Sequence, residues 1–317
     1  MSKLIVLHRL KVENANAIAG LTWGFPAITH FLGYTHALSR KLEASHGITL
    51  SGCGVVCHSH QVHAHTSGRD YQFALTRNPL TREGKTAAFN EEGRMHMTVS
   101  LLLECHGEIA NGDAGFRALE EHIETLCQTQ KLAGGSITGM RNVRVHELTA
   151  AKDIWREIRY SLMPGFVLLD RSSLLETHFQ QLQQQQSDVD KLDAWLDFAA
   201  LKMKSDESGN WQYQPKPEAG GYLVPLMTGW QRISPLYEAG TVANARDAES
   251  PFCFAEAVYG VGEWRGMHRI ATPEDAFWRY RTTETGYYCC GPLVHEDDEL
   301  EADAELEADE PIIFDDI

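Results

Sequence analysis

Arg77, Arg82, Lys85 and Arg94 punctuate one stretch of the chain, and the turn formers Asn78-Pro79 and Gly84 fall between them. Spaced cations on a protruding segment suit one kind of chemistry, the electrostatic capture of an anionic chain such as a phosphodiester backbone. Glu83, Glu91 and Glu92 dilute that charge. The competing expectation is a solvated hairpin with exposed ion pairs, each worth under ~1 kcal/mol.

A second cationic stretch runs from Lys131 to Arg144, with Gly134, Gly135, Ser136 and Gly139 inside it and no acid. Glycine lets backbone N–H groups approach a phosphate, and arginine offers forked donors that match its oxygens. Gly134, Gly135, Ser136, Arg141 and Arg144 are therefore candidate RNA-backbone contacts. The alternative is a helix C-cap followed by a strand whose arginines face water. Walker spacing is missing, which argues against nucleotide hydrolysis. Near the N-terminus, Asn14 and Asn16 precede Trp23 and Phe25. Amides read base edges and aromatics stack on bases, but the same aromatics could staple the following helix to the core.

Cys53, Cys57, His58, His60, His63 and His65 make the one metal-like cluster in the sequence. In a strand His58 and His60 share a face, and His63 and His65 would join them only after a bend, so tetrahedral ligation is not expected and no metal or cofactor is assigned. A metal-independent nuclease needs a histidine beside the scissile phosphate. His30 and His36 are the positions to consider, with spacing that puts His30 on the polar face opposite Ile28, Phe31 and Thr35. Nucleophile elbow, paired carboxylates and Rossmann glycines are all missing, so no catalytic residue is expected.

Periodicity supplies the elements that would position these groups. Leu4 to Val12 reads as a strand, Ala27 to Ala44 as a helix between Pro26 and Gly47, Ile48 to His60 as a strand, and Thr98 to Leu103 as another. A second helix would start at Asn111-Gly-Asp113, turn Phe116, Leu119, Ile123 and Leu126 inward, and stop at Gly134-Gly135, before a last strand over Ser136 to Val145. The order is that of an α+β, ferredoxin-like (RRM-like) βαββαβ core over residues 1–150, with Thr66 to Met97 as a thumb insertion. Residues 151–294 read as a mixed C-terminal domain. It would hold Met163-Pro-Gly165, helical segments around 172–186 and 188–204, a polar linker from Ser205 to Gly221, and Phe252, Phe254 and Trp264 as core.

The chain has 317 residues, 43% of them hydrophobic, enough for a real core. Its net charge of −16 is uneven. Twelve acids and no Lys or Arg lie beyond His295, leaving about −4 on residues 1–294. That block reads as a disordered, solvated acidic tail over 295–317, and the local clustering of cations outweighs net charge as a guide to partners. Seven scattered cysteines, including the vicinal Cys289-Cys290, suit a reducing compartment. No run approaches the roughly 20 apolar residues that span a bilayer, and no signal peptide precedes Leu4, so a cytoplasmic location without membrane contact is expected.

Taken together, eight collinear motifs closely resemble the second Csy subunit family, the Cas-five-like proteins of type I-F CRISPR surveillance complexes. They are Asn14–Ala17 with Leu21–Pro26, Leu75–Leu80, Glu91–Arg94, Leu132–Ile137, Leu162–Phe166, Ser234–Tyr237, Asn244–Asp247 and Gly262–Trp264, spread over residues 4–294. The resemblance implies a ferredoxin-like core with a thumb, no catalytic activity, and a place at the foot of a ribonucleoprotein filament. There the protein would grip the 5′ handle of CRISPR RNA, form a heterodimer with the large subunit, and meet the first backbone subunit. Target DNA would be met only indirectly, through RNA pairing. On this resemblance Asn14, Asn16, Trp23, Arg77, Arg82, Lys85, Arg94 and Arg246 join the glycine-segment residues as RNA-binding candidates. The acidic tail has no counterpart in the family pattern and is either an inert solubilising segment or a nucleic-acid mimic that covers the cationic groove. Two other classes stay open: a metal-independent repeat endoribonuclease of the same fold, and an RNA-independent protein adaptor.

Overall fold

The computed structural model describes residues 2–77, 79–148, 152–214, 216–217, 221–245 and 247–290. The first strand, β1, spans Ser2–Asn16 and outruns its expected end because pairing continues past bulges at Arg9 and Asn14, where φ turns positive (50° and 61°). A small hairpin of β2 (Ile18–Ala19) and β3 (Thr22–Trp23) leads to α1 (Ile28–His46). Gly47 closes that helix in the left-handed region at φ 65°. Then come β4 (Thr49–Val62) and the insertion, built as two hairpins. One pairs β5 (Ala64–Thr66) with β6 (Tyr71–Phe73), the other β7 (Leu75–Arg77) with β8 (Phe89–Glu91). β9 (Arg94–His106) resumes earlier than expected, because Met95 and Met97 are core residues and not part of the thumb.

Helix α2 (Gly112–Gln128) buries Leu119, Ile123 and Cys127 and ends at Thr129. The glycine pair therefore does not stop it. Ala133 and Gly134, at φ 51° and 75°, make instead the two-residue turn between β10 (Lys131–Leu132) and β11 (Gly135–Gly139). Paired left-handed residues are what such a hairpin turn requires. The expected last strand is split, since β12 (Asn142–Leu148) follows a break and pairs separately with the first half of β1. Among the principal strands the lateral order is fourth, first, third, second, all neighbours antiparallel.

The later residues extend this same sheet. After α3 (Lys152–Ser161), β13 (Phe166–Asp170) pairs with β4, and α4 (Ser172–Gln185) and α5 (Lys191–Ala199) follow. The second of these is shorter than its expected span, the chain passing into a small hairpin of β14 (Met203–Ser205) and β15 (Trp211–Tyr213). β16 (Tyr222–Arg232), β17 (Ala255–Gly266), β18 (Arg279–Thr282) and β19 (Gly286–Cys290) complete an eleven-stranded antiparallel sheet. It curls until Trp278 exchanges two backbone hydrogen bonds, both 2.9 Å, with Cys53 of β4. The fold is thus mixed α+β, with α1 and α2 over one sheet face and α3 over part of the other. Trp264 packs partly against the main core, but Phe254 stays half-exposed, edge-on to Tyr237 and Phe252, and does not enter it. Among the described residues no helix is long and apolar enough to cross a membrane.

Candidate nucleic-acid interface

Alternation along β1, β9 and β4 sends Ile5, Leu7, Leu10, Val55, Val99 and Leu101 toward α1 and α2. Their neighbours face the other way. Leu4, Val6, Val56 and Leu102 are covered by Trp155, Ile158 and Leu162 of α3 and its end. Beyond α3 that face is open and polar, a trough of about 380 Å³ lined by Lys11, Glu13, His60, Gln61, His96 and Thr98 among others.

At the thumb root, next to this trough, several candidate residues converge. The N–H of Asn14, on its bulge, donates to His96 Nδ1 at 3.1 Å, and the Asn14 carbonyl accepts from Arg94 Nη1 at 3.5 Å. Gly134 faces the same guanidinium, 3.9 Å from where a Cβ would stand. The N–H of Asn16 donates to the Ala133 carbonyl at 2.8 Å, tying the glycine turn to β1. The Asn16 side chain is occupied by its own turn, accepting from Ile18 N–H at 3.1 Å and donating to Ile18 O at 2.8 Å. It shapes the site and does not point an open amide at a ligand. Arg94 also donates through Nε to Glu92 at 2.8 Å, the local ion pair that the diluting acids foreshadowed. Trp23 is half-exposed and meets Phe73 of the thumb edge-on at 5.3 Å, whereas Phe25 stacks on Phe31 as a staple.

Farther out, Arg82 and Lys85 are exposed on a turn closed by Thr81 N–H to Lys85 O at 2.9 Å, and neither makes an ion pair among the described residues. The Arg77 side chain, Arg246 and the acidic tail lie outside the described residues. Gly135 is buried, with its missing Cβ only 2.7 Å from Glu13 O, so close strand packing accounts for it. Ser136 is exposed opposite Glu13. Arg141 and Arg144 do not join the thumb root. They line a separate cavity beside α3, and Arg144 also pairs with Glu120 of α2 at 3.0 Å. The expected single furrow is thus two places along β1. At Arg9, between them in the strand, the Met163-Pro164-Gly165 turn sits on the sheet, held by Arg9 Nη2 to Met163 O (3.0 Å) and His58 Nδ1 against Pro164 O (2.8 Å).

Histidines were the part of this face that residue spacing under-weighted. His8, His58 and His96 interrupt largely apolar stretches of β1, β4 and β9, and that interruption was the available signal; His146 lies in the more polar β12. Among the described residues no group of three or more His, Cys, Asp or Glu is placed to hold a metal ion. Cys53 and Cys57 are buried, which pushes their thiols up to about 12 and about 11. His30 is half-buried, its Nε2 3.5 Å from Asn16 Nδ2, and not on a solvated face as expected. His36 is exposed and stacks on Tyr280 at 5.7 Å, so the two share no site.

Burial, followed by the charges of His146, Arg141, Arg144 and His58, lowers His8 from 6.5 to about 4. Burial also lowers His30, His58, His63 and His146. Because the unfolded chain takes up these protons first, folding stability is fully present above about pH 6.5 and falls as pH drops toward the folded values. His8 alone should remove about 2 kcal/mol between pH 6.5 and 5. Urea titrations at both pH values should show at least that loss, and His8→Asn should flatten it; an unchanged slope in the variant counts against a neutral, buried His8.

The CRISPR-associated protein (Cas_Csy2) family model matches residues 5–290. A relative named CRISPR-associated protein Csy2, from Pseudomonas aeruginosa (strain UCBPP-PA14), is 38% identical over 299 residues, 87% of this chain and 90% of the relative. With a match running from β1 through the thumb and the open sheet face to β19, this chain belongs to the CRISPR-associated Csy2 family.

Proposed function

We propose that the chain is a non-catalytic subunit of a type I-F CRISPR RNA-guided surveillance complex, holding the 5′ handle of the CRISPR RNA on its open sheet face and thumb root. The observation that carries this reading is the meeting of Arg94, the Asn14 bulge and the Gly134 turn beside an uncovered trough containing Lys11, His60 and His96. Open sheet faces with protruding rings take single-stranded RNA in RRM-like modules, and the fourth-first-third-second strand order fits a ferredoxin-like core. The separation of His30 from His36 favours binding without cleavage. On this reading the protein sits at the foot of the filament in the cytoplasm, pairs with the large subunit, meets the first backbone subunit, and reaches target DNA only through the RNA. Exposed Leu192, Leu196, Leu201 and Trp211 on and after α5 suit a surface covered in such an assembly.

Filter binding of a repeat-derived handle RNA at graded salt tests the reading. The affinity should fall with salt at about −0.7 in log–log slope per phosphate contacted. Replacing Arg82, Lys85, Arg94 and Arg141 together by Ala should make the slope shallower by about 2 to 3. A slope that stays put rejects the assignment, and RNA cut in a His30-dependent way would replace it with the nuclease reading.

A further inference from the structure

Between the first half of β1, β12 and α3 lies a cavity of about 240 Å³, lined by His8, Arg141, Asn142, Arg144 and His146, with Glu157, Ile158 and Ser161 contributed by α3. We propose that this cavity is a subsite for one ribose-phosphate unit of an RNA strand, with Arg141 and Arg144 on the phosphate and the Asn142 amide oxygen accepting from the 2′-hydroxyl. The inference rests on the RNA-binding reading and adds to it a place for a single nucleotide away from the thumb root.

Size sets the first constraint. The volume of about 240 Å³ leaves room for a sugar with its phosphate. Charge sets the second. The Arg141 side chain has no ion pair among the described residues, and Arg144 shares Glu120 while remaining exposed to the cavity mouth. Among the described residues Glu157 is the one carboxylate on the wall, with Glu120 of α2 behind Arg144. Burial is the main cause that lowers His8 to about 4, with smaller contributions in the same direction from His146, Arg141, Arg144 and His58. An anion answers the two arginines on the wall, and neutral His8 still offers a ring N–H.

The third constraint selects the ligand. Asn142 Oδ1 is buried and has no hydrogen-bond partner among the described residues. A phosphodiester brings only acceptors to it, whereas a ribose hydroxyl brings a donor, and that hydroxyl is what separates RNA from DNA. The trough that holds Lys11 lies three residues along β1 from His8, roughly 10 Å, on the other side of the Pro164 turn, so a strand that serves both places passes over that turn.

Calorimetric titration of the full chain with ribose 5-phosphate, 2-deoxyribose 5-phosphate and inorganic phosphate tests this. Ribose 5-phosphate should bind most tightly, about 5- to 10-fold better than the deoxy sugar. Arg141→Ala, an exposed position where folding is not at stake, should weaken it about 10-fold or more. Asn142→Ala should abolish the ribose preference and leave the deoxy affinity in place. Equal affinity for the three probes, or indifference to Arg141→Ala, overturns the subsite. If it falls this way while Arg94→Ala still weakens handle RNA, the RNA reading survives without it. If the ribose preference holds but neither Arg94→Ala nor Arg141→Ala affects RNA binding, the cavity takes free sugar phosphates and its assignment to an RNA strand is overturned.

Discussion

Trp278→Ala should lower the unfolding free energy by about 3–5 kcal/mol, the range for emptying a fully buried indole site. Trp278 is 1% exposed and touches both ends of the curl. Its backbone bonds to Cys53 bring the segment before β18 back onto β4, and its indole N–H donates to Leu168 O of β13 at 2.6 Å. Alanine keeps the backbone pairing but leaves a cavity and strips the Leu168 carbonyl of that donor. Urea denaturation with Trp211→Ala as control measures this, because Trp211 is 67% exposed and its loss should cost under about 0.5 kcal/mol. Equal costs for the two variants would mean that the strands from β4 to β18 do not close on one another.

A second large loss is expected from Glu263→Gln, about 3 kcal/mol with the side-chain shape retained. Glu263 on β17 is 4% exposed and receives a forked bond from Arg265, Nε to Oε1 and Nη2 to Oε2, both 3.0 Å. Arg171, just before α4, brings a second guanidinium to within 3.3 Å of Oε2. Forked arginine–carboxylate pairs are among the strong charge-assisted contacts, and removing one partner of a buried pair leaves the other desolvated without its counter-charge. Gly221, at φ 73°, packs so closely that a Cβ there would lie 2.5 Å from Glu263 Oε1, so the site has little room to rearrange. The effect should persist in high salt, since water does not screen a buried pair. A loss below about 1 kcal/mol would show that the three groups are not coupled.

Helix α1 was legible because its signals are local: Pro26 before it, apolar residues at helical spacing, Gly47 after it. The role of Gly134-Gly135 was not. Both a helix stop and a hairpin turn use left-handed glycine, and only the pairing of β11 with β1, 120 or so positions away in the chain, separates them. The same holds for Asn16, whose amide type suggested base reading but whose nearest partners are the backbone groups of Ile18.

Spacing of two or 3.6 residues depends on neighbours in the chain, and so the strand, helix and thumb order, the cationic stretches and the family likeness could be read directly from the residues. Which cations stand together depends on sheet register and on what covers each face. Those were settled only by packing, when α3 and the Pro164 turn came down on β1 near Arg9 and parted the Arg141 and Arg144 cavity from the Arg94 thumb root.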